Sequence, residues 1–234
     1  MKYEDGRLQI NSQCEAAAEI LACYATLAEQ EKHLLSSLLH GSPIQWVHYP
    51  VDDVIDHQSG YQYFYHSHSP EDREGSSEHG HFHLFARLHN GRSELDLAAE
   101  QQFIDSIRGG QPTAAQTINL LCISLDAKGV PTALFTVNRW VTGDHFFDAN
   151  ATLRLLARFK VEVHEYGLVN QWLTSMIQLF WPQIEALLLE RDAKLWHLAQ
   201  TINASDLLDD TTVEVLSSVP IDINGRVAQL LQAL

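Results

Sequence analysis

Between Tyr61 and His89 the character of the side chains changes at every second residue, and this alternation constrains the fold more than any other feature of the chain. In YQYFYHSH, Tyr61, Tyr63 and Tyr65 fall on one side of an extended chain, and Phe64, His66 and His68 on the other. In HGHFHLFARLH, Phe82, Leu84, Ala86 and Leu88 share one face, and His79, His81, His83, Phe85 and Arg87 the opposite one. A period of two predicts strands, here with one apolar face and one imidazole face. The connecting SPEDREGSSE, with Pro70 and Gly75, reads as a long hairpin loop. With His68 opposite His79, His66 stands opposite His81 and all five histidines lie on one face. A slip of one residue would set Tyr65 against His81 and split the cluster.

The flanking sequence has helical spacing. Asn11 or Ser12 is placed to cap a helix through CEAAAEILACYATLAEQEKHLLSSLL, whose apolar stripe is Ala17, Ile20, Leu21, Tyr24 and Leu27, and Gly41-Ser42-Pro43 ends it. IQWVHYPVDDVIDHQSG reads as loop and short extended pieces. A helix follows at ELDLAAEQQFIDSI, stopped by Gly109-Gly110 and Pro112. TINLLCISL and PTALFTVNRWV read as two strands joined by Asp126-Ala127-Lys128-Gly129, a type I turn with glycine in the left-handed position. From Asn150 the chain turns helical through ATLRLLARF, LVNQWLTSMIQLF, PQIEALLLERDAKLWHLAQ and finally GRVAQLLQAL. The expected fold is α+β: an antiparallel sheet of four or more strands in the middle of the chain, packed by N- and C-terminal helices. Residues 1–234 read as a single domain, with an N-terminal helical part (1–42), a sheet part with the histidines (43–148) and a C-terminal helical part (149–234).

Alternate residues on a strand stand about 6.6 Å apart, so imidazoles on one face converge on a single cation at about 2.0–2.1 Å from each nitrogen. The expected ligands are drawn from His66, His68, His79, His81 and His83, and the expected cofactor is a transition metal, zinc or iron first. Five imidazoles exceed the donors one ion needs, so some would support rather than bind. Glu78 has the opposite strand parity to the histidines. It reads as a loop-edge carboxylate, one that would have to swing in to act as a ligand or a proton carrier beside the histidines. Asn138, Trp140 and Thr142 share one face of the fourth predicted strand, with Arg139 on the other, and Asn138 and Trp140 are candidates for lining a small-molecule pocket. Asp144 and His145 stand behind them as weaker candidates. The competing expectation is a purely structural or pH-responsive histidine face.

Composition removes several classes. Thirty acidic against fifteen basic residues give a formal charge of −15, which argues against nucleic acid, whose binding rests on Lys and Arg at phosphates. No apolar run approaches the roughly 20 residues that cross a bilayer, and MKYEDGRLQINSQ has no apolar core of a secretory signal. Cys14, Cys23 and Cys122 are few, odd in number and form no CxxC, which suits a reducing, cytoplasmic compartment. The sequence leaves the oligomeric state open. There is no phosphate-cradling glycine loop or nucleophile elbow, DDVID lacks calcium-loop spacing, and HEYGL ends in Leu168 where a zinc protease needs histidine.

Three resemblances bear on function. The H-x-H strands are similar to those of cupins and carbonic anhydrases, where two histidines of one strand and a third from a neighbour hold the metal. The cupin glycine and glutamate spacings are missing. HGHFHLFAR, 79–87, resembles the histidine-triad motif of nucleotidyl hydrolases and transferases, which implies His81 as nucleophile with His79 and His83 binding or orienting. Gly80 stands where that motif has an apolar residue, and SSE replaces its upstream phosphate contacts. HYP at 48–50, YHSH at 65–68, EHGHFHLF and NRWVTGD at 138–144 together resemble a family of bacterial proteins of unknown function, over most of the chain.

Overall fold

The computed structural model describes residues 2–39, 41–69, 78–88, 95–111, 113–201 and 206–233, with side chains from Gln9 onward. The predicted hairpin loop with Pro70 and Gly75, and also His40, His89 and Pro112, lie outside the described residues. The architecture is α+β, as expected from the sequence, with helices at both ends of a central antiparallel sheet.

Six strands pair in chain order: β1 (Tyr49–Asp56), β2 (Tyr61–Ser67), β3 (Gly80–Arg87), β4 (Thr117–Leu125), β5 (Pro131–Val137) and β6 (Val215–Pro220). The helices are α1 (Lys2–Glu29), α2 (Leu97–Ser106), α3 (Arg139–Thr142), α4 (Ala149–Leu156), α5 (Gly167–Leu179), α6 (Trp181–Thr201) and α7 (Ile223–Ala233). None of the described helices is long and apolar enough to cross a membrane.

The pleat sorts the two sheet faces as the alternation requires. Tyr61, Tyr63 and Tyr65 pair with Ala86, Leu84 and Phe82, and Ile123 and Leu121 continue that face on β4. These side chains join Ile20 of α1 and Trp172, Leu173 and Met176 of α5 in one buried apolar cluster. Two of the three tyrosine hydroxyls reach partners within the helical layer, since buried hydroxyls need partners. Tyr61 Oη donates to Leu155 O at 2.7 Å, and Tyr63 Oη to Asn170 Oδ1 at 2.7 Å. The β4–β5 turn takes the predicted form, with Gly129 at φ +76° and Asp126 Oδ1 accepting from the Lys128 and Val130 amides at 2.8 and 2.9 Å.

Four elements differ from expectation. α1 begins before Asn11 and Ser12, so neither is a cap, and it ends at Glu29 rather than near Gly41. Glu31 takes a left-handed φ of 55° and Lys32 N bonds back to Leu27 O at 2.9 Å, a Schellman-like stop that precedes a short 3-10 turn at Leu34–Ser37. β1 is a full edge strand, interrupted where its register jumps between Tyr49 and Val54. β5 stops at Val137, because Asn138 turns the chain and caps α3, its Oδ1 accepting from Arg139 N at 2.9 Å. Residues 138–142 are therefore not a strand. β6 escapes prediction because its burial does not alternate, and only pairing with β5 makes it a strand.

Tyr63→Phe leaves the buried Asn170 carbonyl without its donor and is expected to lower stability by about 1–2 kcal/mol. Urea unfolding of the variant with an unchanged midpoint would count against that bond as a tie between sheet and helices.

Candidate metal centre

The face away from the tyrosines carries Phe64 and His66 of β2 opposite His83 and His81 of β3, then Cys122 and Ser124 of β4 and Phe135 of β5. His66 pairs with His81, the expected register, and His68 N bonds to His79 O at 2.9 Å on the next rung. His66, His68, His81 and His83 are all buried on this face.

His79 is the exception, and the expectation of five histidines on one face is corrected here. β3 begins at Gly80, and although the His79 backbone still bonds to His68 N and Leu125 O, the side chains of residues 78 and 79 no longer follow the strand's alternation. A Cβ at Gly80 would lie 2.2 Å from His66 O and 2.5 Å from Tyr65 Oη, so only glycine fits. The Tyr65 ring lies across that glycine and its hydroxyl meets His79 Nδ1 at 2.6 Å, which holds His79 on the tyrosine side. Burial lowers the His79 pKa.

Glu78 takes the vacated place. It is not a loop-edge carboxylate: its side chain is buried, Oε1 lies 2.7 Å from His81 Nδ1, and Oε2 accepts from Ser124 Oγ at 2.6 Å. A carboxylate only accepts, so His81 Nδ1 carries a proton, and in the neutral ring it is His81 Nε2 that presents the lone pair. That nitrogen stands 2.9 Å from His66 Nε2 and 2.9 Å from His83 Nε2. One lone pair cannot serve two hydrogen bonds well, whereas a cation uses lone pairs from several rings at once. The donor atoms fall into two groups that share His81: His66, His68 and His81, and His81, His83 and Cys122. Within each group the donor atoms lie within 4.8 Å of one another, so a buried set of imidazoles and a thiol able to hold a metal ion is present.

The surroundings favour a neutral ring at His83. His83 is pushed well below its ordinary pKa, first by burial and then by the neighbouring His81 and His66. Its Nδ1 lies 3.1 Å from Asn119 Nδ2 and 3.2 Å from Cys122 Sγ. Phe135 packs edge-on to His81 at 4.8 Å, and Trp46 packs edge-on to His68 at 4.6 Å from the segment before β1.

Asn138 and Trp140 are not turned to this cluster. Asn138 Nδ2 donates to Leu207 O at 2.9 Å and Trp140 Nε1 to Val213 O at 2.9 Å, tying α3 to the segment before β6. His145 faces Glu100, at 2.8 Å, and the Ala115 carbonyl, at 3.1 Å. Sequence reasoning missed Cys122 and Ser124, although their spacing in TINLLCISL puts both on one strand face. Knowing which strand β4 pairs with would have found them. Nothing in the local sequence signals Trp46.

The molecule is thus an α+β protein with a buried imidazole–carboxylate cluster on the sheet face turned away from α1 and α5. It belongs to the family defined by a domain of unknown function (DUF6969), whose model matches residues 14–221. No curated protein and no solved structure matches the chain.

A histidine held neutral by the fold stabilises it only above its unfolded pKa, about 6.5. Below that pH the unfolded chain binds the proton that folded His83 resists, so this contribution is lost as the pH falls. Chelator-treated protein should lose thermal stability between about pH 7 and pH 5. A melting temperature flat over that range would show that the cluster accepts protons freely.

Proposed function

We propose that this protein holds a divalent transition metal, zinc or iron, through His66, His68 and His81, and uses it as a Lewis acid toward a small molecule. The observation that carries this reading is the Glu78–His81 pair: a buried carboxylate fixes the tautomer that directs His81 Nε2 at its imidazole neighbours. Carboxylate–histidine–metal arrangements do this generally, orienting the ring and raising its basicity. Three neutral donors leave the ion its full positive charge, which lowers the pKa of bound water and polarises a substrate oxygen. The set with His66 and His68 is preferred over the one with His83 and Cys122. His66 and His68 retain 8% and 7% exposure and lie under Trp46, while His83 and Cys122 are at 1% and 0%, so the first set is nearer to solvent. His83, 2.9 Å from the same His81 nitrogen, is the remaining imidazole donor.

The histidine-triad reading is disfavoured by the same geometry. A nucleophilic His81 would have to present Nε2 to a phosphate, but that atom faces two imidazoles, His79 is on the other sheet face, and Glu78 adds a carboxylate beside the ring.

Protein purified without a histidine tag and reconstituted with zinc or iron should retain near-stoichiometric metal by elemental analysis. His81→Ala should abolish retention, and Glu78→Gln should weaken affinity by about 10–100-fold without unfolding the chain. Retention below about a tenth of an ion per chain would sink the proposal, since a buried three-donor site holds its ion tightly. Hydrolysis of adenosine phosphoramidate by metal-free wild type, lost in His81→Ala, would replace it with the histidine-triad reading.

A further inference from the structure

The two donor groups of the cluster share only His81, and they differ in chemistry. His66 and His68 bring imidazole alone, whereas His83 and Cys122 bring an imidazole and a thiol. Cys122 reaches this face because β4 pairs it with His83, and its Sγ lies 3.2 Å from His83 Nδ1. His83 Nε2 in turn lies 2.9 Å from His81 Nε2. A trigonal ion with bonds of about 2.0–2.3 Å needs donors roughly 3.5–4 Å apart. The donor atoms of His81, His83 and Cys122 all lie within 4.8 Å of one another, within small ring rotations of that spacing.

The enclosure of this second group is aromatic. His83 and Cys122 are more deeply buried than His66 and His68. Phe64 packs against His83 at 4.9 Å, Phe85 stacks on it at 6.0 Å, and Phe135 packs edge-on to His81 at 4.8 Å. Cys122 also pairs with Phe135 across β4 and β5, and the two share an apolar cluster with Val137. Such a shell keeps water from completing the coordination of an ion, which then relies on the three protein donors. Zinc in proteins takes four donors almost always. Two imidazoles and a thiolate in a trigonal set are instead the ligands of copper, and copper(II) binds nitrogen and sulfur donors more tightly than the other first-row divalent ions.

We propose that His81, His83 and Cys122 form a second, copper-binding site, exclusive of the first because both use His81. Coordination converts the Cys122 thiol to a thiolate and releases its proton to solvent, so the sulfur offsets one charge of the ion. The chain then holds either an imidazole-bound ion under Trp46 or a copper thiolate beside Phe64, and not both. This inference rests on the reading of the cluster as a metal centre and adds a second metal class to it; it needs Cys122 and does not need His68.

X-ray absorption at the copper edge, on chelator-treated, untagged protein loaded with copper chloride, reports a copper–sulfur bond in either oxidation state. We expect that bond in wild type and in His68→Ala, and its loss in Cys122→Ser. Zinc should behave oppositely, its retention weakened about tenfold or more in His68→Ala and unchanged in Cys122→Ser. Zinc-loaded wild type should form the copper–sulfur bond only as zinc is released. If Cys122→Ser does not fold by circular dichroism, the Cys14→Ser/Cys23→Ser double variant, whose one remaining thiol is Cys122, should keep the bond. No bound copper, copper bound without sulfur, or a copper–sulfur bond that survives in Cys122→Ser or disappears in the folded double variant would overturn the proposal. So would zinc retention that depends on Cys122, or copper–sulfur bonding beside retained zinc. Failure to retain zinc with the Cys122-dependent copper bond intact would overturn the first site and support this one, so the two failures are distinct.

Discussion

The pairing of Tyr65 with Phe82 and of His66 with His81 keeps two incompatible surfaces apart. Shifting either strand by one residue would drive imidazoles into the helical layer and turn tyrosines toward Glu78. Tyr63, Tyr65, Phe82 and Leu84 are fully buried. At about 1.5–3 kcal/mol for each large apolar side chain, those four place on the order of 10 kcal/mol against a slip, as much as the whole stability of many domains. The histidines contribute little to that preference. Their register is set from the other side of the sheet by α1 and α5, which explains how a polar cluster can be held in place without stabilising itself.

Within that cluster His83 is kept neutral by its surroundings. Burial and mutual repulsion both oppose protonation of His83, and a ring that stays neutral offers a lone pair. Glu78 supplies the opposite influence at a single atom, His81 Nδ1, while Ser124 occupies the second carboxylate oxygen. The negative charge is therefore spent within hydrogen bonds. A divalent cation entering such a set meets neutral nitrogen donors with one carboxylate behind them, a balance that favours binding without quenching its acidity.

The alternation between Tyr61 and Arg87 made the two strands, their faces and their register legible in sequence, because the pleat forces side-chain period to follow strand geometry. The α+β order and the Asp126–Gly129 turn were legible for the same local reason. β6 was not, since its strand character comes from pairing with β5 rather than from its own pattern. The helix at Arg139–Thr142 was hidden because NRWVT suits a strand until Asn138 bonds to the Leu207 and Asp210 carbonyls 69 and 72 residues away. The site was legible in four of its histidines. The fifth, His79, and its neighbour Glu78 exchanged faces because parity arguments end where the strand ends, one residue short of the pattern that suggested them.

The irregular positions are where the chemistry gathers. The break in alternation at residues 78–79 brings Glu78 to His81, and the glycine beside them admits the Tyr65 ring that holds His79 away. On the far edge, the register jump in β1 lets Asp53 adopt a left-handed φ of 54° and reach His48 and Gln62. Bulges re-aim side chains in this way, and Asp tolerates the left-handed region better than most residues. His48, Phe64 and His66 then form a continuous aromatic path between the imidazole cluster and Asp53, with centroids 3.6 and 5.7 Å apart along it. A regular β1 would not bring Asp53 to His48 and Gln62, and a regular start to β3 would leave His81 without its carboxylate. Local departures from strand geometry on both sides of β2 thus supply the two features a regular sheet lacks: a fixed tautomer at His81 and a carboxylate at His48.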